Sequence, residues 1–247
     1  MVAALGWGAL AASSLVIGAL LGLARQWPSK AVGLVLAFGA GALISAVSFD
    51  LAEEGIDIGG GDSVGLGLAL GALTYFTADR FVERMGRPQC HGPKDGGTAP
   101  AGGDAGTGLA LGAFLDGIPE QLVLGIGLAA GEGVSIGLLV AIYVSNLPEA
   151  IGSASGMRAA GHSRGQIARL WTGVALLCAL ATAAGYALAD TSSGGFKGAV
   201  NGFAAGALLV MLIDSMIPEA RESSGRVAGL AAVLGFALAT GLSTLTP

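Results

Sequence analysis

The feature that most constrains this chain is a recurrence of apolar stretches about 20 residues long, beginning with "MVAALGWGALAASSLVIGALLGLA". At 1.5 Å per helical residue, such a stretch matches the roughly 30 Å hydrocarbon core of a bilayer. Only a helix or a closed barrel satisfies its backbone there. The predicted fold is therefore all-α: a polytopic membrane protein, read as one transmembrane domain of eight helices. The spans fall at about 4–24, 31–54, 64–84, 107–130, 134–157, 166–189, 196–220 and 226–245. Of the 247 residues, 53% are hydrophobic and 12% charged. That is about half the charge of a soluble domain, so few residues remain for a separate soluble unit. The first stretch has no basic residue before it and is read as a span, not a cleaved signal. Cys90 and Cys178 lie in unlike surroundings, which speaks against a disulfide framework.

Charge placement tests the count. Cytoplasmic loops collect Lys and Arg. Connections 1–2, 3–4, 5–6 and 7–8, with their adjoining helix ends, hold every basic residue except Lys197. This alternation predicts both termini outside and the Gly- and Pro-rich stretch 85–106 as a flexible cytoplasmic loop. No basic tract carries interleaved aromatics, so nucleic-acid binding has no support.

An internal echo adds a second constraint. "FGAGALIS" at 38–45 recurs as "FAAGALLV" at 203–210, an offset of 165 that also pairs Glu54 with Glu219. With spans 2 and 7 running in opposite directions, the expected architecture is an inverted repeat, spans 1–3 against spans 6–8, around spans 4 and 5. Secondary transporters recurrently use this plan, with the site near the midplane.

Carboxylates inside the apolar spans point to chemistry. Each charge near the bilayer centre costs at least ~2.5 kcal/mol on insertion scales and persists where it is paired or faces a polar cavity. In "DGIPEQ" of span 4, Asp116 and Glu120 are one helical turn apart and share a face. In "SNLPEA" of span 5, Ser145 and Glu149 repeat the spacing, with Asn146 beside them. Pro119 and Pro148 lack a backbone donor, which frees the carbonyls of Leu115 and Val144. Two facing helices with these groups make an oxygen-rich cage suited to a cation. Nearer the span ends, Asp50, Glu53 and Glu54 form an expected outer vestibule, and Asp214 and Glu219 an inner one. Cys90 and His91 make a poor zinc signal without a second pair. A Ser-His hydrolase is excluded by the lack of histidine in any span, and no enzymatic activity is expected.

The pair "DGIPEQ" and "SNLPEA" resembles the two Pro-Glu motifs, on spans 4 and 5, of ZIP-type (Zrt/Irt-like) metal-ion transporters. The resemblance extends to eight spans, external termini, a long loop after span 3 and the Ile-Pro-Glu near the end of span 7. It implies a central site for divalent cations of the zinc, iron or manganese class and delivery to the cytoplasm. In this sequence Asp116 stands where the family has histidine, Glu120 and Glu149 match its glutamates, and Ser145 and Asn146 replace a histidine and an acidic residue. Span 6 lacks the glutamate of binuclear members. Without histidine the donors are hard oxygens, which favours Mn2+ over Zn2+. The expected protein is a multi-pass cell-membrane transporter whose cargo is the metal, with no cofactor. Its partners are the metal ion and the bilayer, with a homodimer left open. The alternative is a ZIP-derived metal-binding or sensing protein, or a carrier of another solute.

Overall fold

The computed structural model describes residues 1–84, 117–129, 136–190 and 193–243, all helical apart from short connections. The helices are α1 (Val2–Ala24), α2 (Ser29–Gly59), α3 (Gly61–Arg84), α4 (Gly117–Ala129), α5 (Ile136–Ala159), α6 (Arg164–Asp190), α7 (Gly194–Ser224) and α8 (Val227–Ser243). Five of them, α1, α2, α5, α6 and α7, are long and apolar enough to cross a membrane. The outer faces of the bundle are apolar: Leu66 and Leu73 of α3, Leu176 of α6 and Leu230 of α8 are each at least 60% exposed. A soluble monomer rarely shows so much contiguous apolar surface. The chain is an all-α, polytopic membrane protein. The stretch 85–106, with Cys90 and His91, lies outside the described residues, as does Asp116.

The 165-residue echo is written into the backbone. Helix α2 is regular over Ser29–Ala46, takes a π-helical stretch over Val47–Glu53 and returns to α geometry to Gly59. Helix α7 does the same over Gly194–Met211, Leu212–Met216 and Ile217–Ser224. The repeat even reaches the stops: Gly60 (φ 81°) and Gly225 (φ 68°) are left-handed, and their N–H groups donate to Ile56 and Arg221 carbonyls at 2.8 Å. Only glycine adopts that backbone freely, which explains a helix end at both positions. Polar residues at 50–54 suggest that span 2 ends near 54, whereas α2 continues past a further turn to Gly59. Asp50 therefore sits within the helix.

The halves are inverted. Gly33 of α2 approaches Ala220 and Ser223 of α7, while Gly55 and Gly59 approach Asn201 and Gly198, so α2 and α7 run antiparallel. Each half closes on the other: α7 packs extensively on both α3 and α2, and α8 packs on α2. A Cβ on Gly41 would overlap the Ala232 carbonyl, and one on its counterpart Gly206 would overlap the Leu68 carbonyl. Gly235 against the Phe38 carbonyl and Gly71 against the Phe203 carbonyl repeat the pattern. Small residues permit this approach where lipid supplies no hydrophobic drive between helices.

Candidate functional site

Helix α5 carries "SNLPEA" through its middle, with Pro148 inside the helix. Three glycines hold that stretch from two sides. Cβ atoms on Gly18 and Gly22 of α1 would lie 2.5 Å and 2.6 Å from the carbonyl oxygens of Leu147 and Ile151. One on Gly39 of α2 would lie 2.8 Å from the Ser145 Cα. Backbones pressed this closely fix the proline-bearing segment in place, so its polar side chains are presented by a rigid element.

Among them, Ser145 meets α4. Glu120 is 1% exposed, and the Ser145 hydroxyl donates to its Oε1 at 3.3 Å and to the Ile142 carbonyl at 3.0 Å. Asn146 is equally buried, and its Nδ2 has no hydrogen-bond partner. A buried unsatisfied amide costs roughly 1–3 kcal/mol. Glu149, one turn beyond Ser145, is partly buried. Of the five residues expected to hold metal, the structure thus brings Glu120 and Ser145 into contact across the α4–α5 seam, with Asn146 and Glu149 on the same stretch of α5. Among the described residues, no three His, Cys, Asp or Glu side chains converge closely enough to hold an ion.

Three groups not singled out from the sequence complete this layer. Thr182 of α6 donates to Gln121 Oε1 at 2.6 Å, and both residues are fully buried. Gln121 Nε2 has no partner. Cys178, one turn before Thr182, is also fully buried and lies within electrostatic reach of Glu120 and Glu149. A Cβ on Gly117 would sit 2.8 Å from its sulfur. The signal was present: Cys178 and Thr182 are four residues apart in "LLCALATAAG", so they share a face of an otherwise apolar helix.

Beyond this layer lies a small cavity of about 20 Å³, room for one water-sized particle. Asp50, Glu54 and Asn201 are its polar lining, and Leu124 of α4 borders it. Leu124 is one turn from Glu120, so about 6 Å of helix separates the two levels. Asp50 accepts a hydrogen bond from the Ser243 hydroxyl at 3.4 Å. Glu53 is exposed and does not line this cavity. Asp214 and Glu219, at the other end of the repeat, are also exposed. The structure does not bring them to the Glu120 layer.

No family model matches the chain. One curated relative is a plant protein. Over 225 residues, 89% of this chain, the sequence is 32% identical to an Arabidopsis thaliana protein described as "Putative zinc transporter". The chain spans about a third of that relative's length, 34%. The aligned region is long enough to take in most of the helices described above.

Proposed function

We propose that this protein carries divalent metal cations across a cell membrane in the manner of ZIP-type transporters. The observation that carries the reading is the buried Glu120 of α4 held against Ser145 of α5, inside a bundle of membrane-crossing helices. Intramembrane carboxylates mark ion pathways by default. The likeness to a sequence described as a zinc transporter supports the same class.

In this reading the chain crosses the membrane eight times with both termini outside, and residues 85–106 face the cytoplasm. A cation enters past Asp50, Glu53 and Glu54 and binds among Asp116, Glu120, Ser145, Asn146 and Glu149. It leaves past Asp214 and Glu219 into the cytoplasm as the two halves of the inverted repeat rock about the site. Pro148 leaves the Val144 carbonyl without its helical donor, a further oxygen for the ion. The carboxylates and amide are hard donors that suit Mn2+ and other hard ions, whereas a thiol is soft and suits Zn2+. Cys178, beside the two glutamates, adds that soft donor and brings zinc, iron and manganese all within range. No enzymatic step belongs to this reading.

The test is uptake of Zn2+, Mn2+ and Fe2+ into proteoliposomes containing the purified protein. Glu149→Ala is expected to abolish uptake while leaving membrane insertion and elution profile intact. Undiminished uptake by that variant would overturn the proposal. Equilibrium metal binding with no flux in the wild type would assign the chain instead to metal binding or sensing.

A further inference from the structure

The two halves share a backbone, but one of them leaves a space that the other fills. Between α2, the end of α7 and α8 lies a cavity of about 400 Å³, within the range of small-ligand pockets. Its walls are methyl-rich, with Ala37 and Ala40 from α2, Ala220 from α7, and Ala228 and Ala232 from α8. Gly229 also lines it, and a Cβ there would meet nothing within 4 Å. In the first half, on the register of the contacts that pair Leu68 with Ala232 and Gly71 with Gly235, the counterpart of Ala228 is Val64, which is 4% exposed. Its Cγ2 comes within 3.1 Å of where a Cβ on Gly55 would lie. Gly55 is the counterpart of Ala220. The valine fills its half, and the smaller Ala228 leaves the other open.

The rim differs in the same comparison. Arg221 and Arg226 line the open cavity and are exposed, where the first half has Ile56 and Gly61. Gly33 of α2 packs on Ser223, so the start of α2 lies at this same end and adds Lys30, with Arg25 just before it. The carboxylates nearby on α7 are Glu219 and Glu222, leaving the rim with an excess of cations. Trp27 sits here too, beneath the Arg25 guanidinium at 5.8 Å. Tryptophan and arginine mark the depth of lipid headgroups.

We propose that this cavity seats an acyl chain of an anionic phospholipid whose phosphate is held by Arg221 and Arg226. Arginine forks match phosphate oxygens in a bidentate manner, and basic pockets between membrane helices select anionic headgroups. A neutral lipid would gain the apolar wall without the charge. A segment of this chain would exclude lipid altogether.

Native mass spectrometry of the full chain in mild detergent, titrated with phosphatidylglycerol or phosphatidylcholine, tests this. Phosphatidylglycerol is expected to be retained in preference. Arg221→Gln with Arg226→Gln should weaken it by roughly fivefold per arginine, following the ordinary gain per basic residue near a lipid surface. Gly229→Val places a branched side chain in open space at the cavity wall and keeps both arginines. It should displace the lipid without lowering the unfolding temperature, and it keeps the test decisive if the double variant folds poorly. Equal retention of both lipids, or phosphatidylglycerol binding unchanged by Gly229→Val, would overturn the proposal.

Discussion

The seam between α4 and α6 and the seam between α5 and α1 join the same kind of motif helix to the same kind of repeat helix, yet their chemistry is opposite. On the α5 side, Ala150 packs in an apolar cluster with Leu15 and Ala19, and glycines of α1 press on the backbone. On the α4 side the matching position is Gln121, bonded to Thr182, with Cys178 one turn away. Gly185 and Gly125 still provide close approach there, against the Leu122 and Thr182 carbonyls. The lesson is a division of labour. Glycines bring the backbones together at both seams, whereas a fully buried side-chain pair, Gln121 with Thr182, lies at the α4–α6 seam.

That contrast can be broken. The largest effect should come from the duplicated glycine contacts. Gly41→Leu and Gly206→Leu each force a side chain into a facing backbone carbonyl, a clash that should exceed the roughly 1–3 kcal/mol of ordinary overpacking. Thermal unfolding in detergent should drop by similar amounts for both, because the contacts are equivalents. A large loss for one alone would show that the halves do not share their packing.

Next comes the polar seam. Thr182→Val strips Gln121 of its donor and should cost roughly 1–3 kcal/mol, while Thr182→Val combined with Gln121→Leu should be close to neutral. Unfolding curves of the two variants separate these outcomes. Equal losses would mean that the pair is held by something other than its hydrogen bond.

The smallest change is one of preference. Cys178→Ser replaces a soft donor by a hard one of similar shape and should turn competition between Zn2+ and Mn2+ toward Mn2+, with total uptake little altered. An unchanged ratio would place the thiol outside the ion's coordination.

Much of this was legible in the residues. Apolar runs predicted a helical membrane protein, and the likeness of the eight-residue stretches 38–45 and 203–210, identical at five positions, exposed a repeat that extends to the capping glycines. The end of α2 was not legible, because Asp50, Glu53 and Glu54 look like a solvated terminus. Within the helix Asp50 gains Ser243 of α8, a tertiary partner that no local pattern displays. Glu120 and Ser145 were readable as a facing pair from the Pro-Glu spacing. Gln121 and Asn201 were not, since an amide in an apolar helix carries no charge to draw attention. Hardness inferred from the lack of histidine also overlooked Cys178, which becomes a neighbour of the glutamates only when α6 packs on α4.

The central claim is that the α4–α5 seam holds the transported ion, and Glu120→Gln tests it most directly. The change keeps size and a hydrogen bond to Ser145 while removing the charge. Radiolabelled Zn2+ uptake into proteoliposomes, measured beside the wild type at matched protein content, should fall to the level of empty vesicles with the unfolding temperature preserved. Uptake at the wild-type rate would contradict the account.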